Sequence, residues 1–104
     1  SVQAVVVHLG TNGAVLPELI EGIMGPLSGV PRVVVVTART PQRWEKANND
    51  ALWEAVPRYP NARIADWRAL SNPHTDWFQP DGIHLSIAGL RACMELLDGA
   101  VHGD

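Results

Sequence analysis

Arg32-Val33-Val34-Val35-Val36-Thr37-Ala38 sets four valines in a row without a polar interruption. A strand with one wet face alternates apolar and polar residues, whereas an unbroken β-branched run is what a strand covered on both faces requires, as in a parallel sheet. Ala4-Val5-Val6-Val7-His8-Leu9 reads the same way, and Ala62-Arg63-Ile64-Ala65-Asp66 suits a third, shorter strand. Helical spacing fills the gaps. Leu16, Leu19, Ile20, Ile23 and Leu27 predict a first helix that Gly22 and the Gly25-Pro26 pair weaken or end early. A second helix is expected to start with Thr40 as cap and Pro41 in the first position. It places Trp44, Ala47, Asn48, Ala51, Leu52, Ala55 and Val56 on one face and stops at Pro57 and Pro60. A last helix runs from about Ser86 to Ala100 and is expected to bury Leu90, Cys93, Met94, Leu97 and Val101.

Strand, helix, strand, helix, strand, helix with short connections predicts right-handed crossovers and an α/β layer structure of about three parallel strands and three helices. Chemistry in such sheets gathers at the carboxyl ends of the strands. The segments Gly10-Thr11-Asn12-Gly13, Ala38-Arg39-Thr40, Asp66-Trp67 and the later loop with Asp81 and His84 are therefore expected on one edge. Asn48 is the odd member of an apolar stripe. A buried amide needs hydrogen-bond partners, which points to a clasp on a neighbouring loop, with substrate contact as the other reading.

The bulk properties narrow the function. The chain has 104 residues, enough for one small domain, and 46% of them are hydrophobic. Its net charge of −3, with no run of like charges, gives no footprint for nucleic acid or an anionic membrane. Neither a membrane-spanning stretch nor a signal peptide is visible, so a soluble piece is expected. The single cysteine, Cys93, falls on a helical stripe and reads as a packing residue. His8, His74, His84 and His102 form no His-x-x-x-His pair, and no metal or cofactor is expected. His8 is read as a sheet histidine or as a partner behind the active edge.

Asp81-Gly82-Ile83-His84 puts a carboxylate and an imidazole three residues apart in a turn, before Leu85-Ser86 and the last helix. A carboxylate against a ring nitrogen fixes the tautomer and stabilises an imidazolium, which is the Asp/His half of a hydrolytic triad. The plain alternative is an Asp-Gly turn followed by a Ser86 cap. Asn12 also has two readings. Its amide can donate to an oxyanion, or it can cap the following helix. The Gly-x-x-x-x-Gly-Lys spacing of a phosphate loop is absent.

An early Gly-x-Asn after a strand and a late Asp-x-x-His before the last helix resemble the SGNH (GDSL-like) hydrolase superfamily, in its chain order. The likeness is greatest to the extracytoplasmic domain of bacterial peptidoglycan O-acetyltransferases and related membrane acyltransferases. Leu9-Gly10-Thr11-Asn12-Gly13, Arg43-Trp44-Glu45 with Asn48, Asp66-Trp67, Trp77-Phe78 and Asp81 to Ser86 carry it across nearly the whole chain. The resemblance implies a three-layer α/β/α flavodoxin-like fold. It also implies that Asp81 orients, that His84 is general base and then general acid, and that Asn12 serves the oxyanion hole. Gly10, Thr11, Gly13, Trp44 and Trp77 become candidate substrate contacts. Gly13 departs from the Asp that follows this Asn in many such enzymes, which argues against a generic secreted lipase.

The family's Gly-Asp-Ser block and its glycine donor are not in this sequence, so the chain is expected to be the C-terminal part of a single domain, inactive alone. Ser28 and Ser86 lie in a turn and at a cap, Ser71 with His74 and Asp76 reads as loop chemistry, and Ser1 begins the chain. The nucleophile is unassigned. In the flavodoxin-like order the missing first strand leaves residues 4–9 as an apolar edge, open to a segment outside this sequence or to another copy. The expected activity is serine-type acyl transfer or ester hydrolysis on a cell-envelope glycan or a small acyl ester, outside the membrane, with a separate membrane domain supplying acyl groups. The other expectation is a non-catalytic glycan-binding or assembly module in which Trp44, Trp67 and Trp77 stack on sugars.

Overall fold

The computed structural model describes residues 3–9 and 13–103. Three parallel strands, β1 (Ala4–His8), β2 (Arg32–Val36) and β3 (Ala62–Ala65), form a sheet in the order β1-β2-β3. Val6 pairs with Val34 and Val35 with Ile64, so the sheet follows chain order, as the last three strands of a flavodoxin-like sheet must. The four valines lie at the centre, each at most 2% exposed. Val33 and Val35 face Ile20, Met24, Leu52 and Val56, while Val34 and Val36 face Trp67, Phe78 and Cys93. The run is continuous because two separate cores need it, one on each face.

Helices α1 (Pro17–Met24) and α2 (Glu45–Ala55) cover the first face, and α3 (Trp67–Ser71) and α4 (Ile87–His102) the second. The result is a three-layer α/β/α arrangement with four helices where three were expected. The addition is α3, one short turn of helix capped by Asp66, whose carboxylate accepts from the Ala69 N–H at 3.2 Å. At the opposite edge of the sheet, Arg32 Nη1 donates to the carbonyls of Ala100 and Val101 at 3.2 Å each, tying the end of α4 to the start of β2.

Two helix expectations need correction. α2 begins at Glu45, five residues after Thr40, because Thr40 and Pro41 make a turn: the Thr40 hydroxyl accepts from the Gln42 N–H. Glu45 then reaches back, its Oε2 accepting from the Thr40 N–H at 2.8 Å. Ala47 is exposed, and Asn49 joins Asn48 and Leu52 on the buried face. α4 has the expected length but a different rotation. Cys93, Leu97 and Val101 pack inward as expected, whereas Leu90 is 52% and Met94 61% exposed, and Gly89 and Leu96 turn inward in their place.

Gly89 sets that rotation. A Cβ there would lie 1.9 Å from the Trp77 carbonyl oxygen, so only glycine lets α4 seat against this backbone. Cys93 is buried as a packing residue, and desolvation pushes its thiol pKa up.

Candidate active site

Parallel pairing brings the carboxyl ends of all three strands to one edge, and two asparagines in sequence fix the loops there. Asn48 Oδ1 accepts from the Val15 N–H at 2.7 Å and its Nδ2 donates to the Gly13 carbonyl at 2.6 Å. This is the expected clasp, and it holds the segment that follows β1. Asn49 does the same for the segment after β2, accepting from the Ala38 N–H at 2.8 Å and donating to the Ala38 carbonyl at 2.7 Å. At the end of β3, the Thr37 hydroxyl donates to Asp66 at 2.9 Å and accepts from the Arg68 N–H at 2.9 Å. Gly10, Thr11 and Asn12 lie outside the described residues; Gly13 is half-buried beside the Asn48 clasp.

The Asp81–His84 turn is pinned at both ends. The Gly82 N–H donates to the Gln79 carbonyl at 2.9 Å and the Gln79 N–H to the His84 carbonyl at 2.8 Å, while Phe78 and Leu85 form an antiparallel bridge. Gly82 has φ +72, a left-handed geometry that favours glycine, and sits against Pro41 of the segment after β2. The fourth loop thereby reaches the same edge.

Within the turn, Asp81 Oδ1 accepts from the N–H groups of Ile83 at 2.8 Å and His84 at 3.0 Å, and Oδ2 contacts His84 Nδ1. The bond to His84, followed by those two backbone donors, lowers the Asp81 pKa to about 2. A carboxylate on Nδ1 keeps the ring proton there and leaves the Nε2 lone pair available to take one. The His84 side chain is 73% exposed, so a reacting group has access to it. Ser86 caps α4 as well: its oxygen accepts from the Gly89 N–H at 3.1 Å, and its hydroxyl donates to the Asp76 carbonyl at 2.7 Å. Turn, cap and carboxylate–imidazole pair coexist in one segment.

Another hydroxyl raised by the sequence is placed differently. Ser71 is the last residue of α3, fully buried, with its hydroxyl committed to the Trp67 carbonyl at 2.6 Å. Trp67 is a core residue, 2% exposed. Trp77 is half-buried and stacked, with centroids 5.6 Å from Trp67 and 3.8 Å from His74. Trp44 is half-buried at the start of α2, and His8 is exposed at the end of β1.

Sequence reasoning passed over Trp53. It is 49% exposed and lines an open groove of about 370 Å³ with Lys46, Asp50, Glu45 and Arg68. Its place in α2 gave one signal, since it falls off the buried stripe. Among the described residues no group of three or more His, Cys, Asp or Glu side chains is arranged to hold a metal ion, and no helix is long and apolar enough to cross a membrane.

The three-layer α/β domain thus carries a carboxylate–imidazole pair at its carboxyl edge, and the similar proteins are named for acetyl transfer. The chain is 35% identical over 95 residues to the O-acetyltransferase OatA of Staphylococcus aureus. It is 30% identical over 95 residues to YrhL of Bacillus subtilis, provisionally named a peptidoglycan O-acetyltransferase. A third similar protein, SAS0844 of Staphylococcus aureus, provisionally named an O-acetyltransferase, is 33% identical over 92 residues. These alignments take in 91%, 91% and 88% of this chain but only 16%, 15% and 15% of the relatives. No protein-family model matches the chain.

Proposed function

We propose that these residues are the acid/base end of an SGNH-type serine acyltransferase or esterase acting on a cell-envelope glycan. His84 Nε2 takes the proton of a serine hydroxyl as that oxygen attacks an acyl carbonyl, then returns it to the departing oxygen. Asp81 holds the ring and stabilises the imidazolium, and Asn12 donates its amide to the tetrahedral oxyanion. A sugar hydroxyl or water then takes the acyl group. The observation that carries this reading is the Asp81–His84 pair with its open Nε2, in a chain similar to O-acetyltransferases.

The serine belongs to a segment outside these 104 residues in this reading, and that segment also completes the sheet. Val6 of the β1 edge is 43% exposed, and Ile87, Leu90 and Met94 of α4 are exposed on the side of the sheet that Val6 faces. An added strand and helix would cover such surfaces. In this reading, as the SGNH resemblance implies, the domain works outside the membrane on a cell-envelope glycan, with a membrane acyltransferase domain as acyl source. In the full-length protein, His84→Ala should abolish turnover of a small acetyl ester and leave the thermal unfolding midpoint unchanged. Retained turnover would sink the assignment.

A second reading, a glycan-binding module without catalysis, is favoured by Trp53, whose exposed indole beside Asp50, Lys46 and Arg68 suits a sugar ring and its hydroxyls. It predicts glycan binding that survives His84→Ala with no ester turnover in the unaltered protein.

A further inference from the structure

Arg39 is a cation whose hydrogen-bonding capacity is almost wholly unused. It follows β2 on the carboxyl edge, with its guanidinium carbon 4.3 Å from the centroid of the Phe78 ring. The cation–π contact holds the side chain in place without neutralising its charge. One amino group reaches the Asn72 carbonyl at 3.5 Å, the limit of a hydrogen bond, and the buried Nε has no partner. Unpaired buried donors of this kind are uncommon, because the lost hydration of the N–H is not repaid.

The same side chain lines a cavity of about 180 Å³ with Thr40, Pro41, Glu45, Asn72 and Gly82. Gly82 belongs to the Asp81–His84 turn, so the cavity adjoins the turn that carries the carboxylate–imidazole pair. The carboxylates nearby are already committed. Glu45 gives one oxygen to the Thr40 N–H at 2.8 Å and the other to Arg68 Nε at 3.0 Å, and Asp81 is held by His84 and two backbone N–H groups. Glu45 also lines the groove of Trp53, so cavity and groove are neighbours along one surface.

We infer that Arg39 anchors a carboxylate carried by a sugar of the acceptor glycan, so that the site selects acidic over neutral glycans. Two carboxylate oxygens match the planar fork of the two Nη groups, and that pairing supplies the counter-charge and the close acceptors those groups lack. A neutral hydroxyl supplies neither the charge nor two acceptors in one plane. The anchor rests on the acyl-transfer reading only for its purpose, which is to set the position of the hydroxyl presented to the Asp81–His84 edge. The binding itself is independent of turnover.

The test is equilibrium binding, by titration calorimetry on the full-length protein, of two short glycans that differ only in a carboxylate or a carboxamide on one sugar. The carboxylate form should bind roughly tenfold or more tightly, as a charge-assisted bond implies. Arg39→Gln should erase that preference, and Arg39→Lys, which keeps the charge but not the fork, should retain only part of it. Equal binding of the two glycans by the unaltered protein overturns the inference, whatever either variant does. So does a preference that persists in Arg39→Gln. Ester turnover, assayed separately with His84→Ala, judges the acyl-transfer reading: loss of that reading with the preference intact leaves the anchor standing, and the reverse removes only the anchor.

Discussion

Asp81 accepts three hydrogen bonds within four residues of chain, and each favours its ionised form. Its pKa of about 2 lies below the ordinary carboxylate value, so the bond to His84 is fully present above that ordinary value and is lost as the pH falls through about 2. An NMR titration of the Asp81 carboxyl carbon should show a midpoint near 2, and a midpoint near 4 would mean that the contact is not formed in solution. Asp81→Asn preserves the shape but removes the charge and offers a donor to Nδ1, which favours the wrong tautomer. In the acyl-transfer reading, kcat on a small ester should fall by roughly four orders of magnitude, as for the equivalent change in a serine protease triad. A fall of less than about tenfold would deprive Asp81 of its orienting role. The motif was legible because all its partners lie within the turn. The reach of Arg39 to Phe78 and Asn72 was not, since those residues are more than thirty positions away in sequence.

Consecutive asparagines make α2 a brace for two loops. Asn48→Ala would strip the Val15 N–H and the Gly13 carbonyl of their partner and should cost about 2–6 kcal/mol, at roughly 1–3 for each group left unpaired. Denaturant unfolding measures the cost, and hydrogen exchange at Val15 should speed up locally. A variant as stable as the parent would show that the clasp is dispensable. The Asn48 clasp follows from an amide in an apolar stripe. Asn49 gave no such signal, because its burial depends on α2 starting at Glu45 and turning Ala47 outward. In α4, Gly89→Ala would improve intrinsic helix propensity by about 1 kcal/mol. The new methyl nevertheless meets the Trp77 backbone and should force the helix away, breaking the 2.9 Å bond from the Ser86 N–H to the Trp77 carbonyl. A net loss of about 1–3 kcal/mol in denaturant unfolding is expected. A net gain would contradict the close approach.

At the scale of the whole molecule, the described residues leave an apolar strand edge and one face of α4 uncovered. Residues 1–104 in isolation should therefore associate as their concentration rises, read by sedimentation velocity, whereas the full-length protein should not. A monodisperse, cooperatively unfolding monomer of these residues would count against a covering segment. The valine run of β2 determined the sheet by itself, because continuous β-branched residues are stable only where both faces are dry. Asp81-Gly82-Ile83-His84 likewise carried its internal carboxylate contacts in sequence, because the Asp81 side chain finds its partners within the turn, whereas its placement on the edge needed Gln79, the Phe78–Leu85 bridge and Pro41. Tertiary structure alone decided which way α4 turns. It also decided that the Arg39 Nε is left without an acceptor. Those outcomes depend on how closely one backbone approaches another, as at Gly89 and Trp77, and residues distant in sequence set that approach.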